Sequence, residues 1–167
     1  MNYKSLINNV ENFPIDGINF KDISPLLASN KFADAISEMG SLVEIPDFWV
    51  GIESRGFIFA SALSIKFGGG LLLCRKARKL PGDIITKSYN TEYSEDQLSI
   101  QKGSGRVVIV DDVLATGGTL HIVNKLCNDA GYKVSENLIF IDLVYVTKSN
   151  EYISSQLAPT KTLIKYE

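Results

Sequence analysis

The sequence predicts a single α/β domain in which a parallel sheet carries helices on both faces. Three observations lead there. Short apolar segments alternate with longer segments of helical periodicity, the pattern of strand-helix-strand units. Val107 to Val110 are apolar without alternation and β-branched, as expected for a strand covered on both sides. A chain of 167 residues is long enough for one real core and too short for two ordinary domains.

The elements follow in order. Ser5 to Phe13 reads as a short helix, ahead of a loop holding Pro14, Gly17 and Pro25. Phe32, Ala35, Ile36 and Met39 fall at helical spacing. Phe48 to Ile52 is a short strand, and Glu53-Ser54-Arg55-Gly56 turns from it into a helix over Phe57 to Phe67. Gly70 to Cys74 is the next strand. Lys76 to Lys102 is a long polar stretch with scattered apolar residues. A compact domain seldom carries so long a connection unless it is a lid or binding loop, the alternatives being a surface hairpin or disorder. Val107 to Val113 is a third strand, followed by a helix from Leu120 to Gly131. Leu138 to Tyr145 is a fourth strand, and Thr162 to Lys165 adds a late one.

Composition narrows the function. A formal charge of −2 gives no general drive toward nucleic acid, so any anion site must be local. Arg75-Lys76-Ala77-Arg78-Lys79 is the evident local source. Cys74 and Cys127 lie in apolar surroundings and read as buried free thiols. His121 is the only histidine, which leaves little for a histidine-based triad or metal centre. The first ten residues lack the apolar run of a signal peptide, and no stretch approaches a membrane span. The expectation is a cytoplasmic protein with no nucleic-acid or membrane partner.

The densest segment is Val107 to Thr119. The strand ends in two carboxylates, Asp111 and Asp112, which are too costly to bury alone and must face solvent, a ligand or a cation. Ala115-Thr116-Gly117-Gly118-Thr119 then makes a small turn ahead of an amphipathic helix. Such a turn presents free backbone N–H groups and the positive end of the helix dipole to an anion. It is not a Walker A loop, since no Gly-Lys-Ser/Thr follows, and it lacks Gly-x-Gly-x-x-Gly. Three unusual turns, 53–56, 75–79 and 111–119, each follow a strand. In a parallel sheet they could converge on one crevice at the carboxyl ends.

All thirteen residues of 107–119 resemble the 5-phosphoribosyl-1-pyrophosphate (PRPP) signature of the type I phosphoribosyltransferases. Further runs narrow this toward the adenine phosphoribosyltransferases: Phe13-Pro14 through Gly17, Phe20-Lys21-Asp22-Ile23-Ser24-Pro25 and Gly51 through Phe57. Arg75-Lys76 with Lys79-Leu80-Pro81-Gly82, Glu92-Tyr93 and the ending Lys165-Tyr166-Glu167 complete the match. The resemblance implies the type I phosphoribosyltransferase fold over 1–167, with a small N-terminal hood at about 1–30 and a long flexible lid loop at about 77–101.

It also implies transfer of phosphoribose from PRPP to adenine, giving AMP and pyrophosphate, with Mg²⁺ as cofactor and a homodimer as the assembly. By resemblance, Ala115, Thr116, Gly117, Gly118 and Thr119 would hold the 5′-phosphate, and Asp111 and Asp112 the ribose hydroxyls. Mg²⁺ would be bound mainly through substrate, with these two carboxylates as candidate ligands. Ser54, Arg55, Arg75 and Lys79 would hold pyrophosphate, the last two in one's own or a neighbour's site. Glu92, with Arg55, would be catalytic, Glu92 as acid/base near the purine nitrogens. Ser88, Tyr89 and Tyr93 would belong to the lid, and Phe20, Lys21 and Val113 to the adenine site, with backbone around Asn19 and Lys21 reading the base.

Three positions depart from the family pattern: Lys21 for arginine, Arg78 for glycine and Val113 for leucine. Two other readings stay open on sequence. One is a sister enzyme using hypoxanthine, guanine or xanthine, and the other is a PRPP-sensing regulator without catalysis.

Overall fold

The computed structural model describes residues 2–90, 95–148, 153 and 155–167. The chain opens with a 3-10 turn, Tyr3–Leu6, and a two-stranded antiparallel sheet of β1 (Asn8–Val10) and β2 (Phe20–Asp22). The helix expected over Ser5 to Phe13 is therefore replaced by a turn and a strand. Asn8 and Asn9 are poor helix formers, and their backbone finds partners in β2 instead. Asp22 Oδ1 accepts from the Ser24 backbone N–H at 2.9 Å, which starts α1 (Ser24–Leu27). Helix α2 (Lys31–Gly40) buries Ala35, Ile36 and Met39, the spacing read from sequence.

Strand β3 (Phe48–Ile52), helix α3 (Gly56–Phe67) and β4 (Gly70–Lys76) make a parallel crossover unit. A hairpin of β5 (Ile84–Asn90) and β6 (Glu95–Gln101) follows. Then come β7 (Gly105–Leu114), α4 (Gly118–Asp129), β8 (Tyr132–Leu143), α5 (Val144–Thr147) and β9 (Thr160–Tyr166). The main sheet has the order β5-β6-β4-β3-β7-β8-β9, parallel from β4 to β9, with β6 antiparallel to β4 and to β5.

Helices α2 and α3 cover one face through a core that includes Met39, Phe59, Leu63, Trp49 and Phe140. On the other face, Val123, Leu126 and Cys127 of α4 pack with Val50, Ile109 and Ile100. Both cysteines are free and buried. Strands β3 and β7 lie side by side in the middle, which explains why Val107 to Val110 is unbrokenly apolar. The chain leaves β3 toward β4 and leaves β7 in the opposite direction toward β8. The strand order reverses between them, and crevices for ligands form outside the carboxyl ends at such points.

The stretch expected as a lid loop is, for most of its length, the β5–β6 hairpin. Leu98, Ser99 and Ile100 are buried, and Thr86 and Ser99 share a hydroxyl hydrogen bond of 2.7 Å. Lys87 Nζ lies 2.5 Å from Asp129 Oδ2 on α4. Apolar residues that looked scattered in sequence are thus the inward set of a paired arm. Residues 91–94, including Glu92 and Tyr93, lie outside the described residues. Among the described residues, no helix is long and apolar enough to cross a membrane.

Candidate active site

Strand β7 does not stop at the carboxylates but runs on to Leu114, so Asp111 and Asp112 sit within it on alternate faces. The Asp112 backbone N–H donates to Asp111 Oδ1 at 2.9 Å. Asp112 is 4 % exposed, and Arg55 Nε lies 2.7 Å from its Oδ2. That oxygen is buried and accepts no well-aligned hydrogen bond among the described residues, so the contact is an ion pair with acceptor capacity left over. Burial raises both carboxyl groups above the usual carboxylate range. The Asp112 charge pushes Asp111 further up, and Arg55 opposes the rise at Asp112.

Beyond β7 the chain curls into a small cavity of about 100 Å³, lined by Asp111, Val113, every residue from Leu114 to Leu120, and Ile139. Gly117 sits at the N-cap of α4 with φ +83°, and a Cβ there would meet Ile153 Cγ2 at 3.2 Å. Left-handed backbone in a tight space explains this glycine. The first residues of α4 thereby line the cavity with Thr116 and Thr119 beside them, and the Gly118 N–H makes a long contact of 3.5 Å to Thr116 Oγ1. From behind, the Thr147 hydroxyl lies 2.9 Å from the Ala115 carbonyl and 3.0 Å from Asp142 Oδ1, which holds the turn to β8.

The turn after β3 approaches the end of β7 closely. A Cβ on Gly56 would lie 2.7 Å from the Val110 carbonyl and 3.0 Å from Asp111 Oδ1, so only glycine lets the two turns meet. Ser54 is exposed at the start of α3, and Arg55 reaches three ways. It pairs with Asp112, donates from Nη1 to the Lys21 carbonyl at 3.0 Å, and lies with Cζ 4.5 Å over the Phe20 ring. Phe13 meets Phe20 edge-on at 5.2 Å.

Glu53 was quoted in sequence only as part of its turn, without a role of its own. Its carboxylate takes Lys79 Nζ at 2.7 Å and the Lys76 backbone N–H at 2.9 Å, with Arg75 Nε 3.5 Å away. Burial would raise its pKa, but these partners outweigh that and hold it below the usual range. The one sequence signal for Glu53 was a carboxylate beside the Ser-Arg-Gly turn, one residue past a buried strand. Arg75 and Lys76 prove to be strand residues, and the basic turn proper is shorter than expected. Arg78, at the family's glycine position, has φ +64°, so the loop keeps the backbone shape that glycine would favour.

The structure thus gathers Arg55, Asp111, Asp112, Val113 and residues 115–119 at the reversal point, with Phe20 and Lys21 joined to them through Arg55. Arg75 and Lys79 join the same edge through Glu53. Ser88 and the backbone of Tyr89 lie on β5, away from these contacts. Among the described residues no group of three metal-ligating side chains occurs.

Comparison with known proteins gives this arrangement a family. Residues 26–154 match the phosphoribosyl transferase domain. A curated adenine phosphoribosyltransferase of Mycoplasmopsis fermentans is 42% identical over 162 residues, covering 90% of this chain and 95% of the relative. That of Hydrogenovibrio crunogenus is 47% identical over 139 residues, covering 80% and 81%.

The chain belongs to the adenine phosphoribosyltransferases.

Solved structures agree on the fold of this adenine phosphoribosyltransferase family member. The enzyme from Thermoanaerobacter pseudethanolicus matches with a TM-score of 0.88 at 33% identity, over 98% of this chain and 97% of the other. The Giardia lamblia enzyme, complexed with 9-deazaadenine, matches with a TM-score of 0.88 at 31% identity, over 98% and 96%. The type I phosphoribosyltransferase fold expected from the signature is borne out.

Proposed function

We propose that this pentosyl transferase moves the 5-phosphoribosyl group from PRPP to adenine, giving AMP and pyrophosphate in purine salvage. The observation that carries the reading is the 2.7 Å approach of Arg55 to Asp112, which joins the two turns across the sheet's reversal point. An anion cradle, a carboxylate pair and a guanidinium then line one crevice, as a substrate with phosphates at both ends of a ribose requires.

The 5′-phosphate sits in the cradle of Ala115, Thr116, Gly117, Gly118 and Thr119, held by backbone N–H groups and two hydroxyls. Asp111 and Asp112 accept from the ribose hydroxyls and favour positive charge on the ring as the glycosidic bond loosens. Ser54, Arg55, Arg75 and Lys79 hold pyrophosphate. At rest these cations rest on the protein's own carboxylates, Arg55 on Asp112 and Lys79 and Arg75 on Glu53. Pyrophosphate draws Arg55 across, and the planar fork suits its oxygens. Asp112 is then released for ribose.

Adenine stacks on Phe20 against Val113, and backbone at Asn19 and Lys21 reads its polar edge. Its nitrogen N9 bonds to ribose C1′ while the bond from C1′ to the pyrophosphate oxygen breaks. The electron pair leaves with pyrophosphate, and Glu92 takes the N9 proton. No protein nucleophile is needed, because position and charge do the catalysis. The Asp112 carboxylate, buried with acceptor capacity left over at Oδ2, fits Mg²⁺, which typically takes one or two carboxylates plus substrate phosphates, and Asp111 beside it is the second candidate. Asp111 and Asp112 would help hold a Mg²⁺ bound mainly through PRPP, which would supply charge neutralisation for the departing pyrophosphate.

Residues 1–167 act as one domain, with a hood at 1–30 and a lid at 77–101 that includes Ser88, Tyr89 and Tyr93. A homodimer is the proposed assembly. Ile58 and Ile65 of α3, seven residues apart on one stripe, are 40% and 87% exposed, apolar surface that a second copy would cover. Two buried free thiols suit a cytoplasmic location.

The test is PRPP- and Mg²⁺-dependent conversion of adenine, hypoxanthine, guanine and xanthine side by side. Strong preference for adenine with release of AMP and pyrophosphate is expected. Preference for another base would overturn the adenine assignment, and tight PRPP binding without turnover would favour a regulator.

A further inference from the structure

Among the described residues, the base-site strand β2 belongs to a two-stranded sheet that shares no backbone pairing with the seven-stranded one. Its orientation over the crevice must therefore be set by side chains. Successive residues of a strand point to opposite faces, so fixing one fixes its neighbour. Lys21 goes one way: Nζ lies 4.2 Å from the centroid of the Tyr166 ring and donates to Asn9 Oδ1 at 2.9 Å, Asn9 being its cross-strand partner. Phe20 goes the other way, to Arg55 and the crevice.

Tyr166 is itself tied to the main sheet, since β9 pairs with β8 and Tyr166 registers with Leu143. Lys4 Nζ also lies 4.7 Å from the ring centroid, so one ring gathers two ammonium groups despite their mutual repulsion. Both partners are partly withdrawn from water, where a cation–π contact is stronger. Burial lowers the Lys21 pKa, with Lys4 adding to the effect, and burial raises that of the Tyr166 hydroxyl.

We infer that Tyr166 is a positioning residue for the base site: its ring holds Lys21, and this fixes the face from which Phe20 meets the purine. The inference rests on the proposed base-site role of Phe20 and Lys21. It assigns Tyr166 no contact with substrate. Tyr166 acts on the base half of the crevice and leaves the cradle of residues 115–119 untouched.

The experiment is steady-state kinetics on Tyr166→Leu, Tyr166→Phe, Lys21→Met and the double variant Tyr166→Leu/Lys21→Met. Tyr166→Leu is expected to raise KM for adenine roughly three- to tenfold with KM for PRPP unchanged. Tyr166→Phe, which keeps the ring, restores the wild-type value. Lys21→Met matches Tyr166→Leu, and the double variant adds nothing further. An unchanged adenine KM, equal rises in both KM values, or failure of Tyr166→Phe to restore would overturn the inference while wild-type turnover of adenine leaves the base-site reading standing. Wild-type protein that does not take adenine would overturn that reading, and the inference with it. Should Tyr166→Leu fold poorly, Lys21→Met carries the same test from the other side of the contact.

Discussion

The turn after β7 and the turn after β3 face one another across the reversal point of the sheet, yet they are built from different materials. After β7 the anion site is made from backbone, with a left-handed glycine, a helix N-terminus and a carbonyl held from behind by Thr147. After β3 the site is made from long side chains already engaged with each other, Arg55 with Asp112 and the Lys21 carbonyl, Lys79 with Glu53. On the proposed function, those partners are exchanged when pyrophosphate is held. On that same proposal, the cradle is the fixed end for PRPP and the basic side the end that responds.

Breaking the junction between the two regions should have the largest effect. Asp111→Asn with Asp112→Asn is expected to lower turnover at least about a hundredfold, with the circular dichroism spectrum unchanged. An active double variant would sink the ribose-contact role. In the proposed lid, Glu92→Gln should lower kcat about a hundredfold while PRPP affinity holds, as checked by single-turnover rates and direct titration. Equal losses in both would reduce Glu92 to a lid residue. On the fixed side, Gly117→Ala should raise KM for PRPP about tenfold and leave KM for adenine alone, since a left-handed alanine costs roughly 1–2 kcal/mol. A drop in adenine affinity instead would mean the cradle is not confined to phosphate.

Two smaller effects sharpen the contrast. Lys79→Met removes a half-exposed ion pair, so a change of about threefold in KM for PRPP is expected, shrinking as salt is raised. Arg78→Gly should raise stability by about 1 kcal/mol in denaturant unfolding, because Arg78 occupies left-handed backbone at φ +64°. Kinetic constants are expected to stay put, and a loss of stability would show that Arg78 makes a compensating contact.

The same contrast explains what was legible in the sequence. The cradle and its strand were readable because β-branched burial, paired carboxylates and a Gly-Gly turn are local signals that need no distant partner. The role of Glu53 was not, because its ligands lie on β4 and just beyond it, 23 and 26 residues away. Ser5 to Phe13 was misread because the pairing of Asn8–Val10 with β2 overrides a weak helical pattern. The β5–β6 arm looked like a loop because its inward residues are few, and Ser99 is buried by a hydroxyl partner and not by apolarity. Tyr166 stood out only as part of a matched ending, since its work depends on a hood that the sheet does not touch through backbone.

The most direct test of the account is a crystal structure of the protein with PRPP and Mg²⁺, compared with the free protein. Residues 115–119 should superpose unchanged around the 5′-phosphate, while Arg55 leaves Asp112 for pyrophosphate and Asp112 turns to the ribose. Arg55 still paired with Asp112 beside a bound PRPP, or a cradle that reshapes itself around the phosphate, would contradict the division between a fixed and a responsive end.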